Sequence, residues 1–363
     1  MFHGTKGRAG GMSLILLVVY LASTIHAGAD RLRVLSLNAQ WFPGREPDAA
    51  PAQQAWHIAA LHQLLYDLDP DIWLVQEVNR ADALGKALAV LPDATVYAVS
   101  AFTNGPHQLA IAGRMPVVVS GTSGWPVREG DVLPPRGIAY CVVEFSDGSV
   151  LPVFTLHLKS NFRGGEDYNE AENMAMRETA ARLFVGYAAA LKATLADRAV
   201  RGTLLGGDFN VLYPMSLFRG ERTSGILEEG GFSYLGSDGL DHFWGVGITN
   251  AVFSVFPGYK GVSDHRAVIL DIALPEGVTI QRRPPLVPAA VAAVAGNVKI
   301  EVNSASLQEL MALPGIGPVL ASRIVLQRPY ESIEDLVEVC GIGPITLEQM
   351  QPWVEVHLPD QVP

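Results

Sequence analysis

The sequence predicts an α/β domain followed by a small helical one, and three observations carry this. From Leu32 to about Leu274, short apolar runs alternate with stretches whose apolar residues recur at helical spacing. Residues 275 to 298 break that alternation with Pro275, Pro284, Pro285 and Pro288 in an Ala/Val-rich run that holds no regular helix. Beyond it, LPGIGP (313–318) is echoed by VCGIGP (339–344), each copy flanked by helix-like sequence.

Composition suits this reading. The chain has 363 residues, 49% hydrophobic and 17% charged, which favours well-buried globular domains over disorder. Its net charge is -11 at pH 7. Bulk attraction to nucleic acid or to an anionic membrane is thereby excluded, and a polyanionic substrate needs a local cluster or bound cations to reverse the field.

Residues 1–29 read as a signal peptide. Lys6 and Arg8 precede the apolar run SLILLVVYLAS (13–23), and Ala27-Gly28-Ala29 forms a small-residue cleavage site before Asp30. The run is short for a bilayer span, so the expectation is export, periplasmic or secreted, without stable membrane insertion after cleavage. An uncleaved anchor is the competing reading.

The domain at 30–275 opens with LRVLSLN (32–38), a strand closed by Asn38. A helical stretch follows over 54–68, then the strand DIWLVQEV (71–78), which turns polar at Gln76 and Glu77. GIAYCVVEF (137–145) and VLPVFTLHL (150–158) are strand-like, and His157 stands at the end of the second. Residues 169–195 are helical, and RGTLLGG (201–207) enters a glycine pair before Asp208 and Asn210. GVSDHRAVIL (261–270) is a last strand with Asp264 and His265 at its mouth. Cys141 and Cys340 fall in different domains, no disulfide is expected, and no Cys/His cluster has zinc spacing.

Polar residues therefore recur where strands end: Asn38, Glu77, His157, Asp208, Asn210, Asp241, Asp264 and His265. In α/β sheets, strand ends are where side chains from distant sequence converge on a ligand. Carboxylates, imidazoles and amides together suit metal-assisted phosphodiester cleavage. A hard divalent cation takes oxygen ligands, and attack on phosphorus needs a deprotonated water and donors for the growing charge. Singly, each residue has a structural alternative: Asp208 and Asn210 as turn formers, His157 as a core histidine, Asp241 as a turn residue. Lys159, Asn161 and Arg163 read equally well as a solvated loop. His107, Gln108 and Arg114 lie near another strand and are weaker candidates.

The motifs LNAQW, VQEV, LHLKS, GGDFN, LDHF and SDH, in this order over residues 32–270, resemble the endonuclease/exonuclease/phosphatase superfamily, which includes DNase I, the AP endonucleases and the neutral sphingomyelinases. The resemblance implies a four-layer α/β sandwich, two packed mixed β-sheets flanked by helices. It implies Mg²⁺ or Mn²⁺ held by Glu77 and Asn38 with Asp264 nearby. It implies Asp208 as the group that orients or deprotonates water, and Asn210 as a donor to phosphate. His157 would touch a phosphoryl oxygen or protonate the leaving group, and His265 would bind or protonate the phosphate with Asp241 as its partner. Gln40 stands where some branches carry an acid, which leaves a second metal ligand open. His157 stands where the AP endonucleases place tyrosine, which leans the chain toward the DNase-like or sphingomyelinase-like branches.

Residues 299–357, past the linker 276–298, resemble the double helix-hairpin-helix module of competence-type DNA receptors. Ser306 and Glu309 fit a capping box, and each G-I-G turn permits positive φ and close backbone approach. Backbone amides at Gly315, Ile316, Gly317, Gly341, Ile342 and Gly343 can form an anion nest for one DNA phosphate. Leu310, Leu313, Ile316, Leu320 and Ile324 read as core. Three basic and eight acidic residues leave this segment at -5, a poor balance for phosphate binding.

The expected function is an exported, divalent-metal-dependent, monomeric nuclease whose terminal module holds DNA without sequence preference. The alternative is a lipid or small-molecule phosphoesterase of the same superfamily, with that module used for protein contacts. A non-enzymatic DNA-uptake protein is disfavoured by the full set of expected catalytic residues.

Overall fold

A computed structural model describes residues 30–91, 93–102, 107–125, 132–161, 169–214, 219–257, 262–281 and 299–357, with scattered gaps in the last segment. The expected signal peptide (1–29) and residues 282–298 of the expected linker lie outside the described residues, as do Arg163, Cys340, Gly315, Gly317 and Gly341.

The first strand, β1 (Arg31–Phe42), alternates its side chains between two cores. Leu35 and Leu37 pack outward with Leu61 and Leu65 of helix α1 (Pro51–Leu68) and Leu84 of α2 (Ala81–Leu88). Leu32 and Val34 face inward with Leu74 of β2 (Ile72–Val78), Cys141 of β6 (Gly137–Glu144), Val153 of β7 (Val150–His157) and Phe243 of β10 (Asp241–Val246). A third core joins Phe154 and Leu156 of β7 and Leu205 of β8 (Thr203–Asp208) to Phe184 of α3 (Glu170–Ala193). Helices, sheet, sheet and helix thus form four layers. Both faces of each sheet are buried, which is why the central strands read as continuous apolar runs.

Each sheet has six strands. The remaining ones are β3 (Thr95–Val99), β4 (Gln108–Gly113), β5 (Val117–Gly124), β9 (Ser233–Asp238), β11 (Ala251–Phe256) and β12 (Ala267–Ala273). The orders are β11-β12-β1-β2-β4-β3 and β5-β6-β7-β8-β10-β9. The central pairs β1/β2 and β7/β8 are parallel and the other pairs antiparallel, so both sheets are mixed. Each parallel pair ends at the same edge, and β10 and β12, antiparallel to β8 and β1, begin there. This topology brings six sequence-distant segments to one rim.

The helices are capped as their sequences require. Pro51 opens α1, and Gln53 accepts the Ala50 amide at 2.8 Å. Asn169 accepts the Glu172 amide at 3.2 Å at the start of α3. The fully buried Arg177 of α3 pairs with Glu221 at 2.6 Å and donates to the Lys159 carbonyl at 2.9 Å, tying the segment after β7 to the outer helix layer.

The glycine pair before Asp208 is dictated by the packing. A Cβ at Gly206 would lie 2.7 Å from both Leu74 and Phe243, and one at Gly207 (φ +146°) 2.1 Å from the Leu156 carbonyl oxygen. Gly207→Ala should lower unfolding stability in urea by at least about 3 kcal/mol, the sum of overpacking and left-handed backbone strain. Gly225→Ala on α4 (Thr223–Glu229), where a Cβ meets nothing within 4 Å, should stay within about 0.5 kcal/mol of the parent.

The C-terminal segment has its own core of Leu310, Leu313, Ile316, Ile324, Ile342 and Met350, with Leu320 packed at its edge. The capping box is present: Ser306 Oγ accepts the Glu309 amide at 3.2 Å, and Glu309 accepts the Ser306 amide at 2.7 Å. Helix α5 (Pro318–Leu326) follows the first hairpin. The expectation of a wholly helical module needs one amendment. The strands β13 (Ile300–Glu301) and β14 (Val354–Glu355) pair in parallel and join its two ends. Among the described residues, no helix is long and apolar enough to cross a membrane.

Candidate active site

The rim formed by the strand ends gathers the expected residues. Asn38 and Gln76 are register partners where β1 and β2 shift register, with β1 running on to Phe42, and His157 and Asp208 pair at the ends of β7 and β8. Asp241, the first residue of β10, lies opposite Asp208. Gln76 turns inward and donates to Thr155 at 2.8 Å. Glu77 would face the outer core were the strand regular. Its φ of +60° and the register shifts toward both β1 and β4 turn the carboxylate to the rim instead.

Asn38 links the two halves of the site. Its Nδ2 donates to Glu77 Oε1 at 3.1 Å and to Asp208 Oδ2 at 2.9 Å. The Trp41 amide holds Glu77 Oε2 at 3.1 Å, and the Asn210 amide holds Asp208 Oδ1 at 2.9 Å. Burial raises the Asp208 carboxyl, opposed by the His265 charge and its amide donors. Asn210 commits one Nδ2 hydrogen to the Leu158 carbonyl at 3.1 Å, so one hydrogen of its expected donation to phosphate is already used.

His265 approaches Asp208 from the loop before β12. Its Nδ1 lies 2.5 Å from Asp241 Oδ2 and its Nε2 3.8 Å from Asp208 Oδ2. Burial disfavours the imidazolium, yet the Asp241 hydrogen bond and the charges of Asp241, Asp208 and Asp264 outweigh it and raise its pKa to about 10. Burial also raises the Asp241 carboxyl, opposed by its hydrogen bond to His265. Ser263 fixes the loop by donating to the Asn38 carbonyl at 2.7 Å and accepting the His265 amide at 3.0 Å. Asp264 is exposed; its amide donates to Gln40 Oε1 at 3.1 Å, so Gln40 orders this loop.

His157 is buried, with Nε2 3.4 Å from Asp208 and 3.9 Å from Glu77. Burial, reinforced by the Arg136, His107 and His265 charges, holds it well below the usual imidazole range. The oxygen donors fit a divalent cation: the Glu77 and Asp208 carboxylates are brought together by the Asn38 amide nitrogen, which donates to each, while the Asn38 oxygen accepts the Gln40 amide at 3.0 Å.

Sequence reasoning missed three residues here. His107, not assigned to the site, lies with Nδ1 3.6 Å from Glu77 Oε1, its ring edge-on to Trp41 at 4.0 Å. Arg136, buried with φ +61°, donates to the His157 carbonyl at 3.1 Å and supplies positive charge beneath Asp208 and Glu77. Ser263 braces the His265 loop. The polar start at His107 and the place of Ser263 in the SDH motif were visible signals; Arg136 offered none. Arg114 lies elsewhere, paired with Asp69 at 2.8 Å, and Gln108 hydrogen-bonds Ser100 at 2.8 Å.

The amides of the hairpin isoleucines need correcting. Ile316 is core, as expected, and so is Ile342, and their amides donate to the Leu313 and Val339 carbonyls at 3.1 and 2.8 Å. They anchor the turns and offer no amide to DNA. A Cβ at Gly343 would meet nothing within 4 Å, so its backbone is open to approach.

The Endonuclease/Exonuclease/phosphatase family model matches residues 35–265. The chain belongs to this family. Its members are phosphoesterases, and a helix-hairpin-helix motif matches residues 295–355. An endonuclease/exonuclease/phosphatase from Beutenbergia cavernae superposes with a TM-score of 0.50 at 16% identity, covering 68% of this chain and 72% of that one, a likeness of fold. Beta toxin from Staphylococcus aureus gives 0.49 at 14%, covering 66% and 99%. The catalytic domain of human Nocturnin gives 0.49 at 16%, covering 69% and 95%. No curated protein matches the chain.

Proposed function

We propose that this phosphoesterase is an exported, divalent-cation-dependent nuclease that hydrolyses DNA phosphodiester bonds, and that its C-terminal module holds the DNA without sequence preference. The observation that carries this reading is the joining, in one chain, of a family domain with converged Asp208, Asp241 and His265 to a helix-hairpin-helix segment. Export rests on the charge and apolar layout of residues 1–29.

The geometry supports the following steps. Asp208, oriented by the Asn38 and Asn210 amides, takes a proton from the attacking water. The water oxygen bonds to phosphorus as the bond to the leaving oxygen breaks, and that oxygen departs with the bonding pair and takes a proton from solvent. His265, kept protonated by Asp241, presents an N–H to the phosphoryl oxygens as charge builds there. A divalent cation at Glu77 and Asn38, with Asp264 at the margin, would supply Lewis-acid charge against the same oxygens.

The test is the mature chain assayed against plasmid DNA, RNA and sphingomyelin, with Mg²⁺ or Mn²⁺ and with EDTA. DNA cleavage that EDTA stops supports the reading; hydrolysis of sphingomyelin with DNA left intact replaces it by the lipid phosphoesterase alternative. The -5 balance of residues 299–357 is the feature that favours that alternative. Truncation before residue 295 should therefore be measured too. KM for long DNA should rise about tenfold, with turnover of bis-p-nitrophenyl phosphate unchanged, as loss of a few phosphate contacts requires. An unchanged KM would assign the module to another partner.

A further inference from the structure

Glu77 has two neighbours that hydrolysis as derived above does not use. His107 Nδ1 lies 3.6 Å and His157 Nε2 3.9 Å from the same atom, Glu77 Oε1, and all three ligand atoms fall within 4.8 Å of one another. Ligand atoms about 2.1 Å from one cation are separated by roughly 3 to 4 Å, so the triangle is close to coordinating size. The rings are held in place: His107 stacks on His157 at 6.0 Å with 5° between planes and meets the Trp41 edge at 4.0 Å. The far nitrogens, His107 Nε2 and His157 Nδ1, are buried and have no hydrogen-bond partner among the described residues. Hydrogen bonding through those nitrogens does not explain why the near ones face a carboxylate.

We propose that Glu77, His107 and His157 form a two-nitrogen, one-oxygen cation site, so that this enzyme takes a borderline transition cation such as Mn²⁺ or Zn²⁺ in preference to Mg²⁺. Imidazole suits such cations, whereas Mg²⁺ keeps to oxygen ligands and water. The proposal rests on the reading of Glu77 as the cation-binding acid, and it moves His157 from the phosphate to the cation.

Calorimetric titration of the cation-free full chain with MnCl₂, ZnCl₂ and MgCl₂ tests it. His107→Gln should weaken Mn²⁺ and Zn²⁺ binding by roughly tenfold or more, since loss of even an outer partner of a ligand commonly costs 10–100-fold. Mg²⁺ affinity should change less than about twofold. Pulsed electron paramagnetic resonance of the Mn²⁺-loaded parent should show ¹⁴N modulation, a readout independent of how the variant folds. Unchanged Mn²⁺ and Zn²⁺ affinity in the variant, or no ¹⁴N modulation in the parent, overturns the proposal. Glu77→Gln separates it from the underlying reading. If that substitution weakens all three cations while His107→Gln weakens none, Glu77 binds the cation through oxygen partners alone. If neither has an effect, the assignment of Glu77 fails as well.

Discussion

Asp208→Asn should lower kcat for DNA cleavage by about 10⁴-fold while KM and the melting temperature stay near parental values. The side chains are nearly equal in size, and the amide can be oriented to keep an oxygen toward the Asn210 amide. What it loses is the basic oxygen. A positioned base contributes about 10²–10⁴ in rate, and the new amide also places N–H groups where Asn38 and His265 already bring theirs. A loss confined to kcat marks an interaction made in the transition state. Single-turnover cleavage of a defined duplex, with thermal melts in parallel, separates this from misfolding; a loss below tenfold would remove Asp208 from the chemistry.

His265→Ala should cost about 10²–10⁴ in kcat, and Asp241→Asn should act through His265. In the parent, Asp241 lifts the imidazole to about 10, so the protonated form persists across the neutral range. Removing that charge lets burial dominate and the imidazole pKa falls. If imidazolium is the active form, activity is full below its pKa and lost as pH rises through it. The alkaline limb of the kcat profile of Asp241→Asn should therefore move to lower pH, toward the ordinary histidine range near 6.5. A limb that stays in place would detach His265 protonation from the rate.

Much of this was legible in the sequence, for a physical reason. Strand period and burial write themselves into runs such as LRVLSLN and TLLGG, and parallel central pairs force the polar residues ending those runs to one rim. The capping box at Ser306 and Glu309 was equally local. The strand order, fixed by long-range pairing, left no local trace. Nor did the bulge that re-aims Glu77, because its +60° φ belongs to a residue with no glycine-like signature. His107 was passed over because it reaches Glu77 across a β2–β4 register shift that cannot be counted along the chain. The Ile316 and Ile342 amides read as free for DNA because a G-I-G turn looks alike whether its central amide is open to a ligand or bonded within the turn.

The central claim is that side chains spread from Asn38 to His265 act as one catalytic unit. A double-mutant cycle measures this most directly, by single-turnover cleavage with parent, Asp208→Asn, His265→Ala and the double variant. Residues acting as a unit are strongly non-additive, so the double variant should be no slower than the worse single one within about threefold. Losses that multiply, or substantial cleavage surviving in the double variant, would mean that Asp208 and His265 serve separate purposes.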